Sequence, residues 1–275
     1  MKIDLLNRYG SWALITGATS GIGLAIARIV AENGVNVVLV ARNKNTLKQT
    51  AEALEAEYSI KTRAISADLT DAAATLSVID QVKDLDIGLL VPCAAIETSG
   101  YYIDTGVEQH KAIAQMDMLS PMTLIHHFGG LMAARKKGAI LILSSMSGLM
   151  PQPYMAHYGA VKAYIAALGT ALYEEMKDCG VDVAVLAPGP TDTPMSAATG
   201  IDFKSMGMSI MQPEDVAMTG LLALGKRSIV VPSFRNKMMV FMMARLMPTK
   251  VVSGMFKKMM GKALKIHYKT ASPLN

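Results

Sequence analysis

Short apolar runs alternate with helix-length segments along most of this 275-residue chain. Trp12–Thr16, Val35–Ala41, Lys61–Ile65, Ile87–Val91, Ala139–Leu143, Val181–Leu186 and Ser228–Val231 are expected to form strands. Between them, Gly21–Asn33, Asn45–Glu57, Asp71–Lys83, Val107–Arg135, His157–Asp178 and Pro213–Leu224 are expected to form helices. The run 35–41 (VNVVLVA) is apolar on both faces, which suits a strand covered on two sides. Strict β-α alternation with helical crossovers predicts an α/β protein with a doubly wound parallel sheet and helices on both faces. No repeat, low-complexity stretch or linker interrupts the chain before about residue 190, so residues 1–234 are expected to form one domain. Within it, a Met- and Gly-punctuated segment at about 193–212 is expected to act as a mobile substrate lid, and residues 235–275 to form a basic, Met-rich helical extension.

Composition narrows the class. Hydrophobic residues at 51% and charged residues at 18% exclude intrinsic disorder. Cys93 and Cys179 are the only cysteines, which rules out a disulfide scaffold or a multi-thiolate metal site and points to a reducing compartment. Lys2, Asp4 and Arg8 leave no apolar stretch for a signal peptide. The best apolar run, Ile87–Ile96, contains Gly88 and Pro92 and falls far short of the ~18 residues a spanning helix needs. The expectation is a soluble, cytoplasmic protein without a metal. Charge is unevenly spread: residues 1–215 carry −6, whereas residues 216–275 carry eleven basic residues, no acidic one and thus +11.

The first strand runs into Thr16-Gly17-Ala18-Thr19-Ser20-Gly21-Ile22-Gly23 at a helix start. A pyrophosphate needs backbone N–H groups and a helix N-terminus with no Cβ in the way, which Gly17, Gly21 and Gly23 provide. At the end of the second strand, where an NAD site places a carboxylate for the ribose 2′-OH, Ala41 is followed by Arg42. A guanidinium suits a 2′-phosphate, so NADP (NADPH) is the expected cofactor; a solvated strand-end arginine is the alternative.

Ser145, Tyr158 and Lys162 form the next group. At i and i+4, Tyr158 and Lys162 share one helix face. A nearby ammonium stabilises a phenolate and makes the tyrosine a usable general acid/base, while Ser145, just after a buried strand, can donate to a substrate oxygen.

With the glycine turn, these residues make the chain resemble the short-chain dehydrogenase/reductase family over residues 10–235. The matching features are TGATSGIG (16–23), ADL (67–69), the Ser145–Tyr158 spacing, YGAVK (158–162) and PGPTDTP (188–194). Within the family it is similar to bacterial hydroxysteroid dehydrogenases and ketoacyl-type reductases. The resemblance implies a Rossmann-type sheet, Tyr158 as proton donor/acceptor, Ser145 as substrate-oxygen anchor, and Lys162 on the nicotinamide ribose, lowering the Tyr158 pKa. It assigns Thr16, Gly17, Ser20, Gly21, Ile22, Gly23, Arg42 and Ala94 to the cofactor as well. Asp68 and Leu69 would meet the adenine, and Pro188, Gly189, Thr191 and Thr193 the carboxamide end. The long helices at 107–135 and 157–178 would pair with partner copies in a homodimer or homotetramer.

Two positions depart from the family. Pro92-Cys93-Ala94-Ala95 stands where Asn-Asn-Ala-Gly is usual, so one backbone donor is lost at Pro92. Asp117 replaces the asparagine that holds a proton-relay water; it can accept from that water or from Lys162 but cannot donate when ionised. Its charge opposes tyrosinate formation, which predicts an active enzyme with a pH optimum moved upward. These departures also favour the rival reading, a catalytically weak nucleotide-binding sensor or scaffold; Ser145, Tyr158 and Lys162 argue against it. His126, His127 and His157 are expected to be structural, Cys93 an apolar filler, and Ser144 lies one residue too far from Tyr158 to replace Ser145.

On the substrate side, Met195, Met206, Met208 and Met211 in the lid, with Met146, Leu149, Tyr154 and Met155, suggest a lipophilic ketone or alcohol, steroid-like or acyl. In the extension, Met239, Met242, Met243, Leu246 and Met247 would form one apolar stripe at helical spacing. A helix packed on its own domain or a sister subunit is the leading expectation. A peripheral contact with an anionic membrane ranks second, a docking face for a phosphate-bearing substrate or carrier third, and nucleic acid last, for want of an aromatic platform.

Overall fold

The computed structural model describes residues 3–265. Seven strands form one parallel sheet in the order β3-β2-β1-β4-β5-β6-β7: β1 (Trp12–Thr16), β2 (Asn36–Ala41), β3 (Thr62–Ser66), β4 (Ile87–Pro92), β5 (Gly138–Leu143), β6 (Val181–Leu186) and β7 (Ile229–Val230). Successive residues of a strand point to opposite faces, and both faces are covered. Ala13, Ile15, Val37 and Leu39 enter one core with the helices α1 (Leu5–Tyr9), α2 (Gly21–Glu32), α3 (Lys44–Tyr58) and α9 (Pro213–Ala223). Leu14, Val38 and Val40 enter the other with α4 (Ala72–Asp80), α6 (Ser120–Ala134) and α7 (Ala156–Glu175). This is the doubly wound sheet expected from the alternation.

The expected single helix at 107–135 is α5 (Val107–Ala114) followed by a π-helical turn, Gln115–Leu119, and then α6. Amphipathic spacing alone does not register one wide turn inside a helix. π-bulges occur often at functional sites, and Asp117 lies in this one. The five-residue α1 was not expected. Arg8 and Tyr9 at its end reach Asp182 of β6, each at 2.7 Å.

The 193–212 segment contains α8 (Pro194–Ala198), N-capped by Thr193, whose hydroxyl accepts from Ser196 N. The extension forms α10 (Phe234–Phe241), a π turn at Met242–Leu246 and α11 (Thr249–Ala263). The single stripe expected there is split. Met239, Met243 and Met247 pack against a core of Met146, Met150, Val252 and Phe256, while Met242 and Leu246 remain exposed. Val240 packs inward with them, so the inward positions on either side of the π turn are 239, 240, 243 and 247. Residues 266–275 of the extension, with Lys269, lie outside the described residues. Among the described residues no helix is long and apolar enough to cross a membrane.

Candidate active site

Strand order reverses between β1 and β4, and in such sheets ligands bind at that switch, beyond the carboxyl ends of the strands. A cavity of about 200 Å³ lies there. Its wall on the cofactor side is Gly17 and Ser20–Gly23, at the end of β1 and the start of α2. Gly17 has φ +67, and a Cβ on it would lie 2.9 Å from Ala94 Cα; a Cβ on Gly23 would lie 2.2 Å from the Gly17 carbonyl oxygen. Only glycine allows both the turn and this approach of helix to strand. Ser20, the N-cap of α2, makes no side-chain capping bond, so the first-turn N–H groups keep no internal acceptor. This cradle fits the pyrophosphate of a dinucleotide.

Gly17, Ser20, Gly21, Ile22, Gly23, Ala94, Ser145, Tyr158, Lys162, Pro188, Gly189, Thr191 and Thr193 all line the cavity. Thr16, Arg42, Asp68, Leu69 and Asp117 do not. Thr16 is buried, and its Oγ1 accepts from both Cys93 N and Ala94 N, at 3.0 and 2.9 Å. Its hydroxyl therefore fastens the β4 loop to β1, next to Pro92, which has no N–H to give. Leu69 sits in the core. Arg42 and Asp68 stand at the ends of the neighbouring strands β2 and β3: Ser66 Oγ donates to the Arg42 carbonyl at 3.0 Å. Arg42 is exposed. Asp68 accepts from Thr70 N and Oγ1, and these bonds, with the Arg42 charge, hold its carboxyl below the usual range.

The reactive side chains meet beyond β5. Ser145 follows that strand, and its Oγ accepts from Ser147 N at 3.1 Å. Tyr158 and Lys162 sit in the first two turns of α7, both buried, with Lys162 Nζ 5.6 Å from the centre of the Tyr158 ring. Ser144 also lines the cavity, but its Oγ is engaged, donating to the Lys162 carbonyl at 2.8 Å. The Tyr158 hydroxyl hydrogen-bonds with Ser145. Burial, and then the charges of Glu97 and Asp117, push the phenol well above its ordinary pKa.

Asp117 bridges three elements. Its Oδ1 accepts from Ile96 N at 2.8 Å, and its Oδ2 is 3.1 Å from Lys162 Nζ, an ion pair whose angle falls outside the hydrogen-bond range. Lys162 Nζ also donates to the Leu143 carbonyl at 3.3 Å. Burial raises the Asp117 carboxyl, and Lys162 opposes that shift. Of the two partners open to Asp117, a water or Lys162, the structure shows an ion pair with Lys162.

Motif reasoning missed Glu97, which lines the same cavity. Burial pushes its carboxyl up to about 7 against the opposing pull of Lys162. The only signal was a lone acidic residue after the apolar run Ile87–Ile96. Cys93 lines the cavity too, with its thiol pushed up to about 12 by burial and therefore held as the inert thiol. His157 is structural: its Nε2 contacts the His110 carbonyl at 2.9 Å. His126 and His127 are exposed.

The far wall is apolar. Met146, Met155, Met195, Phe203, Met206, Met208, Phe256 and Met260 line it. The last two come from α11, so the extension folds onto the site. Three expected contributors do not reach the cavity. Leu149 packs into the core, Tyr154 packs edge-on against Tyr101, and Met211 joins an isolated bridge with Thr191 and accepts from Asn236 Nδ2 through sulfur.

A short chain dehydrogenase family model matches residues 11–202. The chain is 32% identical over 239 residues to the 7beta-hydroxysteroid dehydrogenase of Collinsella aerofaciens, covering 86% of this chain and 90% of that protein. It is also 32% identical to the human inactive hydroxysteroid dehydrogenase-like protein 1, over 71% of this chain and 60% of that one. A structure solved in a study of 7beta-hydroxysteroid dehydrogenase stereoselectivity superimposes with a TM-score of 0.86 at 31% identity, covering 92% and 99% of the two chains. A short-chain dehydrogenase from Sphingobium yanoikuyae in complex with NADPH gives a TM-score of 0.74 at 29% identity, covering 80% and 86%.

Proposed function

Because the chain belongs to the short-chain dehydrogenase/reductase family of oxidoreductases, we propose that it passes a hydride between NADP(H) and a carbonyl or secondary alcohol of a lipophilic, steroid-like or acyl substrate. One observation carries this reading: a single cavity sets Ser145, Tyr158 and Lys162 between the glycine cradle and a wall of methionine and phenylalanine. The nicotinamide supplies or takes the hydride when bound. Ser145 donates a hydrogen bond to the substrate oxygen. Tyr158 gives that oxygen its proton in reduction and removes it in oxidation. Lys162 holds positive charge beside the phenol, and Asp117 orients the ammonium. The methionine wall excludes water and adapts to an irregular apolar body.

Exposed Arg42, with Ala41 in the place of a carboxylate, supports NADP over NAD, as does the NADPH complex of the Sphingobium relative. The names of the hydroxysteroid relatives support a lipophilic substrate. Exposed Leu119, Met122, Leu131 and Tyr164 along the π turn, α6 and α7 support a homodimer or homotetramer. Free Cys93 and Cys179 suit a cytoplasmic location. The Lys162–Asp117 pair and the inactive human relative favour the second reading, a nucleotide-binding scaffold with little turnover.

The deciding assay follows NADPH oxidation with a panel of ketones, including steroids and acyl thioesters, and NADP reduction with the matching alcohols. Tyr158→Phe removes the proton donor and is expected to lower kcat by about 10²–10⁴ while cofactor binding is retained. Cofactor binding without turnover of any substrate would select the scaffold reading.

A further inference from the structure

Glu97 is the one carboxyl lining the cavity among the described residues, and the proposed chemistry does not use it. It follows Ile96, whose N–H is held by Asp117, so its backbone is anchored to the Lys162–Asp117 pair. Among the described residues no protein group hydrogen-bonds its carboxyl. The other polar side chains beside it have partners: Tyr158 bonds with Ser145, and Lys162 pairs with Asp117. Glu97 lines the same cavity as Ser145, Tyr158 and Lys162, so its carboxyl shares with them the space that a bound substrate must enter. Opposite lie Met155, Met206, Phe256 and Met260.

We propose that Glu97 is a specificity-determining residue that receives a hydrogen-bond donor on the substrate, a hydroxyl on the carbon next to the reacting one. This inference rests on the proposed reductase activity and narrows its substrate class. A lipophilic ketone filling the cavity strips water from Glu97. Without a donor of its own, it leaves a buried carboxyl unmatched, at a penalty comparable to a lost charged hydrogen bond. A hydroxyl on the neighbouring carbon replaces the lost water. Sites built to hydrogen-bond a ligand hydroxyl reject analogues that lack it far better than apolar pockets reject an added group. A carboxylate at that position is disfavoured by repulsion from Glu97 and Asp117.

The test compares two ketone pairs that differ only by the adjacent hydroxyl: acetophenone with α-hydroxyacetophenone, and estrone with 16α-hydroxyestrone. The readout is the ratio of kcat/KM within a pair, which does not depend on the fraction of correctly folded enzyme. For the unmodified protein the ratio in at least one pair is expected to favour the hydroxyketone by about 10–100-fold. Glu97→Leu is expected to bring it within about 3-fold of unity, and Glu97→Gln, which keeps an acceptor, to retain part of the preference. A ratio near unity in the unmodified protein, failure to reduce either hydroxyketone, or a ratio unmoved by Glu97→Leu overturns the proposal. If other ketones of the panel are still reduced, the reductase reading stands without it. If none is, both fall.

Discussion

Replacing Asp117 by asparagine tests how the site sets the reactivity of its tyrosine. Asparagine keeps the volume and an Oδ1 able to accept from Ile96 N, so the π turn and the loop after β4 retain their link. What is lost is one negative charge. Asp117 Oδ2 is 3.1 Å from Lys162 Nζ, which is 5.6 Å from the Tyr158 ring centre, so carboxylate and ring lie at most about 8.7 Å apart. At an effective dielectric constant of about 20, that separation corresponds to roughly 1.9 kcal/mol, or about 1.4 pH units on the phenol. The charge destabilises the tyrosinate, so removing it lowers the Tyr158 pKa. In the oxidation direction the rate rises as Tyr158 loses its proton, and the midpoint of that rise is expected to move to lower pH by about 1.4 units. In the reduction direction the alkaline fall-off should move the same way. The measurement is kcat/KM against pH in both directions, with the dissociation constant for NADP taken in parallel. A midpoint that stays put or moves upward while cofactor binding is unchanged would refute the electrostatic account of Asp117.

Three further outcomes follow from other parts of the structure. Arg42→Ala is expected to weaken NADP(H) by about 10–100-fold, the loss of a charge-assisted contact, while NAD(H) stays within a few-fold; equal effects on the two cofactors would remove Arg42 as the discriminator. Phe256 is fully buried between the extension and the cavity wall, so Phe256→Ala is expected to cost about 3–5 kcal/mol, read by denaturant unfolding, and to raise KM more than it lowers kcat. Leu131, half exposed on α6, is expected to lie in a subunit contact, and Leu131→Glu should convert a dimer or tetramer to smaller species in light scattering; an unmodified protein that runs as a monomer would overturn that assignment.

Most strands were legible because a strand covered on both faces is apolar at consecutive positions, whereas β3 buries only Ile65 and is marked by its spacing between helices. Thr16–Gly23 and Tyr158–Lys162 were legible for a related reason: a turn that needs glycine, and two side chains one helical turn apart, are local events. The π turn at Gln115–Leu119 was not, because one wider turn barely disturbs a helical hydrophobic pattern. Thr16 shows a limit of motif reasoning. It belongs to the phosphate-turn motif, yet its hydroxyl serves Cys93 and Ala94, a pairing across two strands that nothing near position 16 announces.

Glu97 and α11 show the same limit at the substrate end. A lone carboxyl in a loop has many surface explanations, and only the assembled cavity places it beside Tyr158 and Lys162. The basic extension looked like an appendage to a finished domain. Instead, Phe256 and Met260 close the cavity, and Met260 shares an apolar cluster with Tyr158 itself. Its described basic side chains are exposed while Met239, Met243, Met247 and Met260 pack inward, so charge and apolar surface in one segment serve different neighbours. Since most of the far wall comes from residues 195–208 and α11, those residues can be exchanged without touching the glycine turn, Ser145, Tyr158 or Lys162. That separation explains physically why the family and its nucleotide-binding fold were readable from the chain, whereas the shape of the substrate was not.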